Sequence, residues 1–445
     1  MNTIVVRTTD ELARLASGFN ALAGGVVSRR HEWLTAWWNH YGTAQLCTLS
    51  VQDGAEVLGI LPLYVQRSPA QGRLLRLLGT GEVCSDYLGL LCRDDRQEEV
   101  VGALADWLCR AVDDRQDRWD ALELEEAIIA AHGAGGMVRT MEEWAQHPQA
   151  AAIASLPLME IVKIGDSPPE KLPDGDRPLS GIRVLDLTRV LAGPTCARTL
   201  AEHGADVLKI TGAHLPNIGY QEYDTGHGKL SAHLDLRDSK DLETLRALVR
   251  EADVFSQGYR PGTLGQRGLS PEDLSQLRPG LVYISMCAFS HAGPWASRRG
   301  FDTVVQTVSG ITHRQGELFP GDEPGPQFYP VSAIDYLTGY LMAFGAMVAL
   351  ARRTREGGSW LVRISLAQVG RWLVERGQVP GAGLKDVPQE FTPAELQRWS
   401  MSSDTPVGRL HHLGPVVRLS ETPPHWARPS VPLGYNEPVW PARAI

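Results

Sequence analysis

The spacing of apolar residues predicts alternating strands and helices from Leu179 onward. Short apolar, β-branched runs of strand length occupy residues 183–187, 205–210, 253–256 and 281–287. Between the first two runs lies a helical segment with Pro194 at its start, and Gly204 ends it. A strand, a helix and a strand in so few residues form a right-handed βαβ unit. The pattern predicts an open, doubly wound parallel α/β sheet over about residues 179–370.

Residues 1–124 show a different alternation and predict a separate α+β block. A Trp-rich amphipathic helix follows Ser28, and strands near 45–51 and 56–64 flank the hairpin signal Asp53-Gly54. A helix is predicted near 98–112 and a strand over 119–124.

Composition shifts after residue 124. Residues 125–136 are rich in Ala and Gly, and residues 166–178 (DSPPEKLPDGDRP) read as a linker. The predicted organisation is therefore a block at 1–124, a small-domain remnant and linker at 125–178, and a main domain at 179–445.

The overall composition excludes several classes of protein. A chain of 445 residues exceeds one average domain, and its net charge of −9 without a dense Lys/Arg block argues against nucleic acid. Six scattered Cys and no His cluster predict reduced thiols, no metal site and a cytoplasmic location. The first residues lack the pattern of a signal peptide, and no apolar run is expected to span a membrane. The absence of G-x-G-x-x-G argues against a nicotinamide cofactor.

Candidate chemistry concentrates in residues 281–310, LVYISMCAFSHAGPWASRRGFDTVVQTVSG. A strand leads into a polar turn, where we interpret His291 as a turn residue. One carboxylate, Asp302, then lies between Phe301 and an apolar run. A carboxylate at the mouth of a buried strand is a candidate nucleophile or base. The alternative is that Asp302 caps a helix, since Asp is favoured at that position.

The run F-x-x-x-G-P-W-x-x-R-x-G-F-D-x-x-x-Q-x-x-S-G at 289–310 resembles the signature of the family III CoA-transferases. This family includes formyl-CoA and carnitine CoA-transferases and, as a branch, the 2-methylacyl-CoA racemases. Its opening segment is similar to D-L-T-R-V-L-A-G-P with L-A-E-H-G-A-D-V-L-K-I at 186–210. The resemblance implies that Asp302 is the acyl-accepting nucleophile.

The resemblance also implies contacts with the CoA nucleotide. The matching segments are G-K-L-S-A-H-L-D-L, Y-R-P-G and the turn after the first strand. CoA phosphates need cations and helix N-terminal amides. The implied CoA-binding residues are Val190, Ala192, Gly193, Pro194, Lys229 and Arg260. The alternative for the two cations is that each is a solvated surface charge.

The chain departs from the family pattern in its front part and in its order. R-T-x-E-E-W-x-x-H-P-Q at 139–149 resembles a run that lies late in the family, so the order looks permuted. Residues 1–124 resemble the first half of GNAT-like acyltransferases of the cellulose-biosynthesis type, through EWLTAWWNHYG, the hairpin and GEVCSDYLGLL. The turn at 76–81 lacks the R/Q-x-x-G-x-G/A order, so acetyl transfer is not expected. Gln257 stands near where the family often has Asn.

These observations predict a CoA-transferase that moves CoA between an acyl-CoA and a carboxylic acid, with CoA esters as substrates and no permanently bound cofactor. The resemblance also implies a homodimer. A racemase is one alternative, since it needs two groups that exchange an α-proton, but those enzymes have His directly before this Asp and here Phe301 precedes it. A non-catalytic CoA-binding protein is the other alternative.

Overall fold

A computed structural model describes residues 2–23, 30–42, 45–68, 72–78, 90–116, 120–319, 325–379, 387–388 and 390–442. The chain forms two compact units, Met1–Gly133 and Ala134–Ile445.

The first unit mixes helices with antiparallel strands. Its elements, in chain order, are β1 (Asn2–Val6), α1 (Thr9–Arg14), α2 (Ala16–Leu22), α3 (His31–Tyr41), β2 (Gln45–Leu46), β3 (Thr48–Asp53), β4 (Glu56–Leu61), β5 (Leu63–Ser68), β6 (Gly72–Leu77), β7 (Leu91–Cys92), α4 (Gln97–Gln116) and α5 (Ala121–Ala130). One sheet has the order β1-β3-β4-β7 and a second has the order β2-β5-β6.

The hairpin expected at Asp53-Gly54 is present, because β3 and β4 pair antiparallel across it and Gly54 has a φ of 60°. The strand predicted over 56–64 is divided at Pro62, which has no N–H for a sheet ladder. Phe19, Leu34, Trp37 and Ile60 are buried in one core of this unit. Residues 79–89, with most of GEVCSDYLGLL and the end of the turn at 76–81, lie outside the described residues.

The prediction of a strand over 119–124 is wrong. Residues from Ala121 form helix α5, and the Asp120 side chain caps it by accepting from the N–H of Leu122 at 2.9 Å. Ala, Leu and Glu dominate this helix and are strong helix formers, and Asp is a preferred N-cap. The apolar-polar alternation of a few residues was too short to distinguish the two structures.

The second unit contains the large sheet. Its elements are α6 (Met141–Ala145), α7 (Pro148–Ala154), β8 (Glu160–Gly165), β9 (Arg183–Asp186), α8 (Ala192–Glu202), β10 (Asp206–Thr211), α9 (Gly219–Thr225), β11 (Lys229–His233), α10 (Ser239–Arg250), β12 (Val254–Gln257), α11 (Pro271–Leu277), β13 (Val282–Cys287), α12 (Asp302–Val308), α13 (Ile311–Leu318), α14 (Ala333–Glu356), β14 (Ser359–Ser365), α15 (Leu366–Glu375), α16 (Pro393–Trp399), β15 (Ser400–Thr405) and β16 (Gly408–Leu413).

The seven strands of the large sheet have the order β11-β10-β9-β12-β13-β14-β8. All neighbours from β11 to β14 pair in parallel, and only β8 at the edge is antiparallel. Excluding β8, the chain order of the strands is 3-2-1-4-5-6, which is a doubly wound arrangement. The predicted parallel pairing of 183–187 with 205–210 is confirmed. The order reverses between β9 and β12, and ligands of open α/β sheets bind beyond the carboxyl ends of strands at this point.

Helices cover both faces of this sheet, as its nearly continuous apolar strands require. On one face, α8, α12, α14 and α15 bury residues such as Leu200, Val305 and Met342. On the other face, α10 and α11 bury Leu245 and Leu274.

Residues 166–178 contain no helix or strand, as expected of the linker, and all of them are described. Upstream of this linker, β8 pairs with β14 and so adds a strand to the large sheet. The boundary predicted after residue 124 falls within α5.

Helix α14 is the one described helix that is long and apolar enough to cross a membrane by length and composition. This corrects the expectation that no apolar run reaches that length. Of its most apolar window, 56% is buried inside the unit. Met342, Ala346 and Leu350 belong to the core beneath the sheet, so packing against α8 and β14 accounts for its hydrophobicity.

Candidate active site

The turn after β9 lies at the point where the strand order reverses. The carboxylate of Asp186 accepts a 2.9 Å hydrogen bond from the N–H of Thr188 and a second bond from the Thr188 hydroxyl. Val190 has a φ of 68°, which is unusual for a β-branched residue. Helix α8 begins two residues later, so the backbone at 188–191 is fixed by both neighbours. A strained turn of this kind is a frequent feature of binding sites.

Asp302 is the first residue of α12, and Phe301 occupies the N-cap position. The Asp302 side chain therefore does not cap its own helix. Its carboxylate accepts a 3.0 Å hydrogen bond from the backbone N–H of Asp335 and a bond from the side-chain amide of Gln306. Asp335 lies in the first turn of α14, whose N-cap residue Ser332 makes no side-chain capping bond. Asp302 thus supplies an acceptor to the N-terminus of a helix far away in sequence.

The two carboxyl groups of Asp302 and Asp335 are both buried, with 3% and 8% of the residues exposed. Burial raises the pKa of Asp302, although the amides of Asp335, Gln306 and Ile334 oppose this by binding the charged form. Burial, followed by the nearby charge of Asp302, raises the pKa of Asp335 to about 7. Two neighbouring buried carboxyl groups resist ionising together, so the charge of Asp302 favours the protonated form of Asp335. Asp335 is not among the site residues predicted from the sequence, where its signal is an acidic residue at the start of a long apolar helix.

Two cavities meet at Asp335, and the larger of them also borders Asp302. The larger, about 380 Å³, is bordered by Arg189, Val190, Pro216, Asn217, Ile218, Gln221, Glu222, Phe301, Asp302, Thr303, Ser332 and Asp335. The smaller, about 140 Å³, is bordered by Leu187, Arg189, Val190, Leu191, Ala192, Gly258, Tyr259, Met286, Cys287, Ala288, Gly300, Phe301, Asp335 and Leu366. Arg189, Val190, Phe301 and Asp335 border both cavities. They thus connect the space beside Asp302 with the space beyond the strand ends.

Of the turn residues expected to meet CoA, Val190 and Ala192 border these cavities. Gly193 and Pro194 are buried in α8 and do not border either cavity. A Cβ on Gly193 would lie 2.2 Å from the Thr188 side chain, so glycine is needed here for close packing. The Pro194 carbonyl accepts a hydrogen bond from Lys229.

Lys229 borders neither of these two cavities. It is 1% exposed, and its Nζ bonds to the Asp186 carboxylate and the Pro194 carbonyl, each at 2.8 Å. Each partner compensates the other's desolvation, and the pair also holds the turn that follows β9. In this structure Lys229 forms a buried ion pair with Asp186, and its contact with a CoA phosphate stays a prediction. Neither the motif nor its alternative, a solvated surface charge, indicated this inward orientation.

Arg260 is exposed in the turn after β12. A third cavity, about 150 Å³, lies near this edge of the sheet, and its border includes His214, Asp235, Arg237, Tyr259, Thr263 and Arg267. The Asp235 carboxylate forms an ion pair with Arg237 at 2.6 Å. Within the described part of the chain, the Arg267 guanidinium donates only to backbone carbonyl oxygens, those of Leu236 and Thr263. Arg237, Arg267 and the turn of Arg260 therefore place cations at this edge, and Asp235 offsets the charge of Arg237.

His291 lies outside the three cavities. Its Nδ1 is 3.4 Å from the Glu160 carboxylate, on the edge strand β8. The residue before it, Ser290, has a φ of 92°, which is consistent with a tight turn. Among the described residues, no group of three or more His, Cys, Asp and Glu side chains is arranged to hold a metal.

The second unit of this chain is similar to proteins of a known family. Residues 179–389 match the model of CoA-transferase family III. This segment is a family III CoA-transferase domain. Within it lie the turn after β9, the Asp302–Asp335 pair and all three cavities at the strand ends.

Several relatives of this family III domain carry transferase names. An acetyl-coenzyme A transferase of Hypoxylon pulicicidum is 29% identical over 316 residues, which cover 68% of this chain and 51% of the relative. A succinyl-CoA–D-citramalate CoA-transferase of Chloroflexus aurantiacus is 35% identical over 202 residues, covering 43% of this chain and 49% of the relative. The chain spans about half the length of these curated relatives. The crystal structure of a CaiB/BaiF family protein from Brucella suis is 27% identical, with 53% and 65% coverage of the two chains and a TM-score of 0.40.

Proposed function

We propose that this protein is a CoA-transferase that moves CoA between an acyl-CoA thioester and a carboxylic acid, with Asp302 as the nucleophile. The observation that carries the proposal is a buried carboxylate, held by the N-terminus of α14, at the border of a cavity in a family III domain. The names of the relatives support transfer of CoA between acids.

In the proposed first half-reaction, the Asp302 carboxylate attacks the thioester carbonyl and the carbon–sulfur bond breaks. The products are a mixed aspartyl–acyl anhydride and the CoA thiolate. The thiolate then attacks the aspartyl carbonyl, which releases the first acid and leaves CoA on Asp302 as a thioester.

In the second half-reaction, the accepting carboxylate attacks the aspartyl thioester and expels the thiolate, forming a new anhydride. Attack of the thiolate on the acceptor's acyl carbon gives the new acyl-CoA and restores the Asp302 carboxylate. No proton is consumed and no atom changes oxidation state. Because one thioester replaces another through anhydrides of similar acyl-transfer potential, the exchange is nearly thermoneutral.

The hydrogen bond from the Asp335 amide provides an oxyanion donor for the proposed reaction steps. The N–H of Asp335 already bonds the Asp302 carboxylate oxygen Oδ2 at 3.0 Å. When thiolate attacks the aspartyl carbonyl, negative charge develops on an oxygen of the same group. A backbone amide already in place stabilises that charge without reorganisation.

CoA is proposed to lie along the carboxyl edge of the sheet. Its thiol end would reach the cavity bordered by Val190 and Ala192, and its nucleotide would take the cavity bordered by His214 and Arg267. Arg260 and Arg267 are the cations that this placement offers to the CoA phosphates.

A second candidate function is racemisation of a 2-methylacyl-CoA. The buried pair of Asp302 and Asp335 favours it, because one charged and one protonated carboxyl could exchange an α-proton. Phe301 stands where the racemases have His, which favours transfer. Incubation of a 2-methylacyl-CoA in D₂O separates the two: racemisation incorporates deuterium at the α-carbon, and CoA transfer does not.

The main experiment is a screen of acyl-CoA and acid pairs, with mass detection of newly formed thioesters. Exchange by the purified protein supports the transferase. Binding of CoA esters with no exchange for any pair would instead support a non-catalytic CoA-binding protein.

Two further parts of the interpretation are proposals. The first unit is proposed to be GNAT-like without acetyl transfer, which is supported by its helices and antiparallel sheets. A homodimer is proposed from the family resemblance. Exposed apolar side chains near the β15–β16 hairpin support it, and they include Leu396, Trp399, Met401, Leu413 and Val417.

A further inference from the structure

Arg189 is placed between the two cavities of the candidate active site. It lies in the turn between β9 and α8 and borders both cavities. Its guanidinium donates through Nη2 to the carbonyl of Pro216, a residue that also borders the larger cavity. Asp186 fixes the backbone before it through Thr188, and Val190 adopts a φ of 68° after it. The position of Arg189 is therefore determined on both sides.

The charges around the larger cavity are unbalanced. Glu222, Asp302 and Asp335 border it, while Arg189 is the one cation among its described lining residues. Glu222 already forms an ion pair with Lys209. Within the described part of the chain, none of these carboxylates forms an ion pair with Arg189, although all of them border the same space.

A guanidinium has five N–H donors in a planar fork that matches a carboxylate. The Pro216 carbonyl accepts from Nη2. The other nitrogens remain available for an anionic group that enters the cavity. Without this cation, the charged side chains among the described lining residues of the larger cavity would all be carboxylates.

We propose that Arg189 binds the distal carboxylate of a dicarboxylic substrate, so that the site selects acids with a second carboxylate over monocarboxylic acids of equal length. The inference rests on the proposed CoA transfer, because the other end of the same acid must react at Asp302. A monocarboxylic acid has only the reacting group and leaves Arg189 unpaired. The half-buried Arg189 guanidinium then gains no charge-assisted hydrogen bond from the acid, and this difference produces the selectivity.

The test compares succinate with butyrate, which have four carbons each and differ in the second carboxylate. Isothermal titration calorimetry on the full chain, with CoA present at saturation, measures binding independently of turnover. We expect wild type to prefer succinate by roughly 10- to 100-fold, the size of a charge-assisted pair. Arg189→Met should lower succinate affinity by that factor and leave butyrate affinity within about twofold.

Two control variants keep this test sharp. Arg189→Lys retains the charge without the planar fork and should keep part of the preference. Arg250→Met removes an exposed charge from the last turn of α10 and should leave both affinities unchanged. Circular dichroism establishes that each variant is folded.

Equal binding of the two acids to wild type, or no succinate binding at all, would overturn the proposal. So would a succinate preference that survives in Arg189→Met. Loss of CoA affinity with an unchanged succinate-to-butyrate ratio would assign Arg189 to a CoA phosphate instead. Failure of the transferase itself is seen separately in the exchange screen. A protein that binds succinate through Arg189 but exchanges no CoA contradicts only the proposed function.

Discussion

The backbone N–H of Asp335 donates a 3.0 Å hydrogen bond to the carboxylate of Asp302, which lies 33 positions earlier in the chain. Asp302 therefore begins α12 while it satisfies an amide at the N-terminus of α14. Both carboxyl groups border the larger cavity. This one contact places the proposed nucleophile, an oxyanion donor and a second acid in the same site.

Asp302→Asn should lower CoA exchange by orders of magnitude and leave CoA-ester binding nearly intact. An amide has the size of the carboxylate but cannot form the anhydride. Hydroxylamine trapping should release an acyl group from wild type and none from the variant. Asp238→Asn is the matched control, because Asp238 caps α10 and Asn is an equally good cap. An Asp302→Asn protein with near wild-type exchange would end the assignment of this residue.

The same variant has a defined effect on stability. The carboxylate accepts on both oxygens, from Gln306 and from Asp335, whereas Asn has one acceptor oxygen. One donor loses its partner, at a cost of about 1–3 kcal/mol, and relief of the buried charge offsets part of it. Urea unfolding should therefore show only a modest change in the free energy of unfolding. A fully unfolded variant would contradict this.

Asp335 should make the free energy of unfolding fall as pH rises from about 4 to about 7. Its folded pKa is raised to about 7, while the pKa in the unfolded chain is about 3.9. Between these values the folded state binds a proton that the unfolded state has lost, so rising pH favours unfolding. Asp335→Asn should remove this component, worth up to about 4 kcal/mol at about 1.4 kcal/mol per pKa unit.

Urea unfolding from pH 4 to 8 checks this prediction as the difference between wild type and Asp335→Asn. Groups that do not interact with Asp335 contribute equally to both proteins and cancel in that difference, which therefore reports on Asp335 together with its coupling to Asp302. Glu202, whose pKa burial also raises to about 7, gives the matched control. Glu202→Gln should remove a similar but separate component. Parallel pH profiles for wild type and Asp335→Asn would refute the raised pKa.

Lys229 and Arg260 should respond in opposite ways to replacement by Met. Lys229→Met leaves Asp186 charged and unpaired in the core and should lower the free energy of unfolding by about 3–5 kcal/mol. Arg260→Met removes an exposed charge, so stability should change by less than about 0.5 kcal/mol while CoA binds more weakly. Urea unfolding and CoA titration distinguish the two. A stable Lys229→Met protein with weakened CoA binding would instead support a contact between Lys229 and a CoA phosphate.

The homodimer should be visible by light scattering at micromolar concentration, as a mass of about twice 48.7 kDa. Combined Met401→Glu and Leu413→Glu place charges on the exposed apolar surface near the β15–β16 hairpin and should weaken association. A monomeric wild-type mass would contradict the dimer. A dimer that survives both substitutions would show that this surface is not the interface.

Local pattern alone determined the βαβ order of the second unit, because strand and helix periodicities are written in adjacent residues. It also located Asp302 at a helix start, whereas the turn at Val190 and Ala192 was indicated by the resemblance to the CoA-transferase family. It was insufficient at 119–124, where a few alternating residues were compatible with both a strand and the helix that forms. The direction of Lys229 depended on Asp186, which lies on a neighbouring strand and 43 residues away.

Only the tertiary structure decided that the Asp302 carboxylate accepts a hydrogen bond from the N-terminus of α14, where Asp335 lies. The same holds for Arg189, which the sequence offered as one residue of a motif and the fold placed between two cavities. Hydrogen bonding, burial and pKa depend on which distant side chains share a desolvated space. That sharing is set by the order of the strands and the packing of helices upon them, and no window of adjacent residues contains it.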